Sequence, residues 1–82
     1  MDSGILRALA DGTRFRLFGR ISRGEVCACM LPDYVKTSQP AVSQHLKVLL
    51  GTGLVRMRKD GTKRIYSISE KGRRVLADVS RW

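Results

Sequence analysis

Two stretches of this chain hold residue types whose spacing could do chemistry. The first is Cys27-Ala28-Cys29, two thiols one residue apart, which suits a soft thiophilic ion or an internal disulfide. In an ideal α-helix these side chains would project about 200° apart and could not meet on one ion. Either chemistry therefore selects an extended or loosened segment. Pro32 supplies a reason for one: it removes the N–H that would bond to the Ala28 carbonyl and clashes with that carbonyl. A third helix expected over residues 25–36 is thus interrupted, its regular part starting at or after Met30. The competing reading takes the cysteines as two small buried apolar residues.

The second stretch is Thr37 to Gly53, TSQPAVSQHLKVLLGTG, a short and sharply delimited helix. Ser38 is its N-cap, since the hydroxyl can accept an orphan N–H of the first turn, and Pro40 stands where no N–H is needed. Gly51 and Gly53 stop it. At about 100° per residue, Val42, Leu46, Leu49 and Leu50 share one apolar face with His45 at its margin; Pro40, Gln44 and Lys47 point away, flanked by Ser43. That outward face carries an amide and an ammonium, groups that can meet base edges and phosphates in a DNA major groove. A solvated surface helix is the bland alternative.

Residues 54–59 and 62–68 alternate around Asp60-Gly61, a strong hairpin signal. Arg56, Arg58, Lys59, Lys63 and Arg64 crowd this hairpin against the single acid Asp60, which favours a phosphate or minor-groove contact over a merely solvated ribbon.

The remaining elements must position these two stretches. Ile5, Leu6, Leu9 and Ala10 make a first amphipathic helix, and Asp11 can cap the second, Thr13 to about Ser22. There Phe15, Leu17, Phe18 and Ile21 face a core while Arg14, Arg16 and Arg20 stay wet. Ser69 caps a last helix whose stripe is Val75, Leu76 and Val79 with Trp82 at its end. Apolar surface on both terminal helices is either a dimer interface or packing within one subunit.

Eighty-two residues make one domain, 1–82, too short for a second core. With 16 Lys plus Arg against 7 Asp plus Glu, the formal charge is +9. Such a field favours polyanions, of which nucleic acid is the commonest. No apolar run approaches the roughly 18 residues that span a bilayer, and the N-terminus lacks signal-peptide order, so the reading is cytoplasmic with no membrane partner. The fold class is α+β and mostly helical: a winged helix-turn-helix with a two-stranded β-hairpin wing.

At this point the residues resemble the arsenic-repressor (ArsR/SmtB) family of metal- and redox-responsive repressors, over about Ile5 to Leu76. LADGTRFRLF is similar to the family's L-S-D-P-T-R-L-R-I-L and EVCAC to E-L-C-V-C. SQPAVSQHLKVLLGTGLV is similar to S-Q-P-x-V-S-x-H-L-x-x-L-x-x-x-G-L-V, and the wing carries DG-x-x-x-x-Y. The resemblance implies a homodimer bound to a double-stranded DNA operator and released by a soft ion or an oxidant. The helix carrying Ser38, Gln39, Pro40, Ser43, Gln44, His45 and Lys47 would then read the major groove, Arg56 to Arg64 would be the wing, and Cys27 and Cys29 the sensor. No cofactor is required, and arsenite, antimonite or cadmium are the effector ions implied. Where arsenic-responsive members often read C-x-C-x-x-C, the third place here is Pro32. Trivalent arsenic prefers three thiolates, so completion would fall to an external thiol, a water-derived ligand or the Met30 sulfur. Gly12 stands where the family often has Pro, and the ligand set of a zinc site in the last helix is absent.

Two other readings stay open: a redox sensor working through a Cys27–Cys29 disulfide, and a winged-helix module with no sensor. A small thiol oxidoreductase fits least. It lacks C-x-x-C spacing at a helix start within a thioredoxin-like β/α pattern, no base stands nearby in sequence, and His45 reads as packed or phosphate-facing rather than catalytic.

Overall fold

The structure, a computed structural model, describes residues 3–81. Helices α1 (Ser3–Ala10) and α2 (Gly12–Ser22) are joined at Asp11, whose carboxylate accepts the Arg14 N–H at 2.9 Å; that bond holds the Asp11 carboxyl below its usual pKa. A two-residue strand, β1 (Val26–Cys27), and one 3-10 turn (Ala28–Met30) lead into α3 (Leu31–Val35), with Pro32 in its first turn, where a missing N–H costs nothing. Lys36 closes α3 in the left-handed region at φ 55°. Helix α4 (Gln39–Gly51) follows, then β2 (Val55–Asp60), β3 (Lys63–Ile68) and α5 (Glu70–Ser80).

The caps fall where the sequence places them. Ser38 Oγ accepts from Ala41 at 3.3 Å, and Ser69 Oγ accepts from Gly72 at 2.9 Å while donating to the Gly53 carbonyl at 2.6 Å. One serine thus starts α5 and ties it to the end of the α4 segment. Leu17, Phe18 and Ile21 of α2, Leu31, Val42 and Leu49 are all fully buried in one apolar cluster.

Four expectations change. First, the sheet extends beyond the two-stranded hairpin wing β2–β3: residues 25–36 hold a strand and a 3-10 turn ahead of the helix, and the sheet is antiparallel with order β1-β3-β2, Val26 pairing Tyr66 and Cys27 pairing Ile65. Second, Asp60 pairs Lys63, which makes Gly61-Thr62 the two-residue loop, one position later than Asp60-Gly61. Gly61 takes the positive φ of 64° that the first loop position of a II′ turn demands. Third, Phe15 is 38% and Leu6 47% exposed. On the wheel Phe15 lies about 60° outside the arc spanned by Leu17, Ile21 and Phe18, so the core reaches only its edge. Finally, Arg14 is half-buried rather than wet. Its guanidinium donates to the Ala8 and Arg7 carbonyls and, at 3.3 Å, to His45 Nδ1, because a guanidinium has no acceptor to offer. Trp82 lies outside the described residues; Val75 is buried, with Leu76 and Val79 half-buried beside it.

Candidate functional site

Helix α4 separates its residues by face as its periodicity requires. Val42, Leu46 and Leu49 are buried, while Gln39, Pro40, Ser43, Gln44 and Lys47 are exposed. Ser38 is exposed and serves as the cap. His45 is half-buried at the margin, engaged by Arg14, which places it among structural side chains on the α2 side.

The wing brings its cations together in register. Lys59 stands directly opposite Arg64, and Arg58 opposite Ile65. Like charges facing each other across a ladder are destabilising, and an anion beside them relieves the repulsion. Arg56, Lys59, Lys63 and Arg64 are all exposed. Arg58 differs: its Nε and NH2 donate to the two Glu25 oxygens, each at 3.2 Å, and its NH1 lies 4.0 Å from Asp60. This forked bond holds the Glu25 carboxyl below its usual range and raises the Arg58 guanidinium. Both side chains are more than half exposed, so water and salt screen the pair, and its role is geometric: it ties the wing to the residue that precedes β1.

Between α4 and the wing lies a cleft of about 620 Å³. Gln39, Ser43 and Lys47 of α4 form one bank, and Thr62, Lys63 and Arg64 of the wing the other. Leu46, Leu50, Met57 and Tyr66 line its apolar part. Cys27 and Cys29 reach the same cleft, because β1 runs along β3 and the following 3-10 turn packs on that strand. Their sulfurs are joined in a disulfide, with the Cα atoms 5.2 Å apart. Cys27 has the extended backbone that the spacing argument demands (φ −71°, ψ 137°), and its Sγ accepts the Cys29 N–H at 3.2 Å.

The structure therefore brings Gln39, Ser43, Lys47, Lys63, Arg64, Cys27 and Cys29 around one concavity, leaves Gln44, Arg56 and Lys59 exposed outside its lining, and engages Arg58 and His45 elsewhere. Sequence reasoning missed Glu25, Met57 and Tyr66. Alternation in the hairpin could have placed Met57 and Tyr66 on one face, but nothing local pairs Glu25 with a residue 33 positions away.

Among the described residues no group of three or more His, Cys, Asp or Glu side chains is placed to hold a metal ion, and no helix is long and apolar enough to cross a membrane.

Comparison with known proteins agrees with this geometry. The family described as "Bacterial regulatory protein, arsR family" matches residues 3–57. An arsenical resistance operon repressor of Staphylococcus aureus is 42% identical over 77 residues, covering 94% of this chain and 71% of that protein. A probable mercury resistance operon repressor of Streptomyces lividans is 44% identical over 64 residues, covering 78% of this chain and 51% of that protein. Among solved structures, the homodimeric winged helix-turn-helix DNA-binding domain from Mycobacterium bovis superposes with a TM-score of 0.86 at 28% identity, covering 95% of this chain and 73% of that one. The helix-turn-helix, the basic wing and the matched sequence meet in one conclusion: the chain belongs to the arsR family of bacterial regulatory proteins.

Proposed function

We propose that this protein is a dimeric, sequence-specific DNA-binding repressor. Its operator affinity falls when a soft ion such as arsenite, antimonite or cadmium binds Cys27 and Cys29, or when an oxidant joins them. The observation that carries this reading is the shared cleft: the polar face of α4, the cationic wing and both cysteines border one concavity. Chemistry at the sulfurs therefore reaches the groups that would hold DNA without a long relay. In this reading Ser43, Gln44 and Lys47 approach base edges, with Gln39 beside them, while Arg56, Lys59, Lys63 and Arg64 take phosphates. Ser38 and Pro40 set the start of the helix, His45 holds it against α2, and Arg58 holds the wing against Glu25.

Two copies are proposed because one α4 per subunit reads one half-site, and two half-sites about 34–36 Å apart match a two-fold dimer. The Mycobacterium bovis domain, similar over most of this chain, is homodimeric. Leu6 at 47% exposure, with the half-buried Leu76 and Val79, puts apolar surface on the two terminal helices that a second copy would cover.

Cys27 and Cys29 would hold the ion as a two-thiolate chelate. Met30, 64% exposed, is the only further sulfur in the 3-10 turn that carries them, and its thioether is a weak donor. The paired sulfurs of the structure favour the redox form of the reading, because the disulfide state already fits the segment. A ligand moves an equilibrium only by its differential affinity for two arrangements; a coupling of about 1–3 kcal/mol lowers operator affinity about 5- to 150-fold.

The test uses fluorescence anisotropy on duplexes selected by the protein from a random pool. Reduced wild type is expected to lose affinity by that factor with arsenite, cadmium or a mild oxidant, and Cys27→Ser/Cys29→Ser to respond to none of them. A full response in the double variant overturns the sensor assignment. On the same duplexes Gln44→Ala is expected to narrow the gap between the selected site and random DNA by about 1–3 kcal/mol, the worth of one good base contact. Equal losses on both would mean that the outward face of α4 does not read bases.

A further inference from the structure

We propose that the cleft between α4 and the wing captures a small anionic thiol, which opens the Cys27–Cys29 disulfide by attack at Cys29. This inference stands on the disulfide and the cleft, and does not need the DNA-binding reading.

The two sulfurs are not equivalent. Cys29 is exposed, whereas Cys27 is half-buried in β1 against β3. Thiol–disulfide exchange requires an approach to one sulfur and a stabilised thiolate leaving from the other. Access favours Cys29 as the sulfur attacked. Stabilisation favours Cys27 as the leaving group, since its Sγ already accepts the Cys29 N–H at 3.2 Å, a bond that strengthens when the acceptor is an anion. In the step, the incoming thiolate forms a new S–S bond to Cys29 while the Cys27–Cys29 bond breaks and its electron pair leaves on Cys27. One disulfide replaces another, so no outside oxidant or reductant is needed.

The cleft selects the charge of the thiol. Lys47, Lys63 and Arg64 border it and, among the described residues, no Asp or Glu does, while Glu25, the acid next to β1, is turned to Arg58. Leu46, Leu50 and Met57 offer apolar wall for a short carbon chain. At about 620 Å³ the space falls in the range of small-molecule sites. A thiol carrying carboxylates can thus seat them on the cations with its sulfur at the cysteine end; a cationic thiol is repelled.

The experiment uses the oxidised wild-type protein with three probes at equal thiolate concentration: glutathione (net negative), 2-mercaptoethanol (neutral) and cysteamine (positive). Opening is stopped with acid, free thiols are alkylated, and peptide mass spectrometry locates the adduct. The expected result is a mixed disulfide on Cys29 with alkylated Cys27, and glutathione reacting about three- to tenfold faster than 2-mercaptoethanol at low ionic strength, with cysteamine slowest. This preference should fall to about one at high salt, and also in Lys63→Ala/Arg64→Ala. Using the ratio between probes cancels any general change in the variant. An adduct on Cys27, no mixed disulfide on either cysteine, rates independent of probe charge, or a preference that survives the loss of both cations each overturns the proposal.

Discussion

Raising monovalent salt from 50 to 200 mM is expected to weaken binding of the proposed dimer to a selected duplex by about 10³-fold or more. Lys47 of α4 and Arg56, Lys59, Lys63 and Arg64 of the wing are exposed, five per subunit, with Arg58 set apart by its bond to Glu25. Two subunits with three to five phosphate contacts each make about six to ten, and each neutralised phosphate releases condensed counterions. For that number the loss runs to about 10³–10⁵ over this salt range. The facing pair Lys59 and Arg64 sharpens the expectation, because its own repulsion is relieved only when an anion lies alongside. Anisotropy titrations at four or five salt concentrations give the slope of log affinity against log salt. A slope steeper than about −5 agrees with the proposed face; one near zero would show that these cations do not meet phosphates.

Gly72→Ala is expected to destabilise the fold strongly for the addition of one methyl group. Gly72 is buried in the first turn of α5, and a Cβ there would collide with the Leu54 carbonyl oxygen and come within 2.8 Å of Ile68 Cγ1. The carbonyl cannot turn aside, since it is backbone and already accepts the Ser69 N–H at 3.2 Å. Helix α5 must move, disturbing the Ser69 bonds to Gly72 and Gly53. Overpacking of this kind costs about 1–3 kcal/mol or more, while alanine returns at most about 1 kcal/mol as the better helix former. The net loss, about 2 kcal/mol, lowers the thermal midpoint by about 8–16 °C for a chain of this size. Gly19→Ala provides the contrast: it lies inside α2 with nothing within 4 Å of its Cβ, so the helix-propensity gain stands alone and the midpoint should rise. Calorimetry showing both variants shifted the same way would contradict the packing argument.

What was legible in the sequence is what local chemistry decides. Ser38, Asp11 and Ser69 cap helices because their oxygens sit within three residues of the N–H groups they satisfy. Pro32 starts a helix instead of lying inside one for an equally local reason. The faces of α4 followed from its period, and the wing's cations from the alternation around a glycine turn. Illegible were pairings set by the closed fold. Strand β1 is two residues long, and nothing in Val26-Cys27 announces Tyr66 and Ile65 as partners nearly forty positions on. The forked bond from Arg58 to Glu25 and the meeting of both cysteines with Lys63 and Arg64 depend on that same strand. The spacing of Cys27 and Cys29 requires an extended or loosened segment; that this segment joins the sheet, and so lies at the wing, is fixed only in three dimensions.

The order β1-β3-β2 has a consequence for how safely the molecule can change shape. β3 is an inner strand only where Val26 and Cys27 cover it; peeling β1 away turns that side of β3 into an open edge, the kind of backbone row that recruits strands from other chains. Here the newly bared stretch is Ile65 and Tyr66 alone, and the strand before it carries Lys63 and Arg64. Release of β1 would join those two residues to the already uncovered remainder of β3, whose exposed Lys63 and Arg64 are the kind of edge charges that discourage pairing with a second chain.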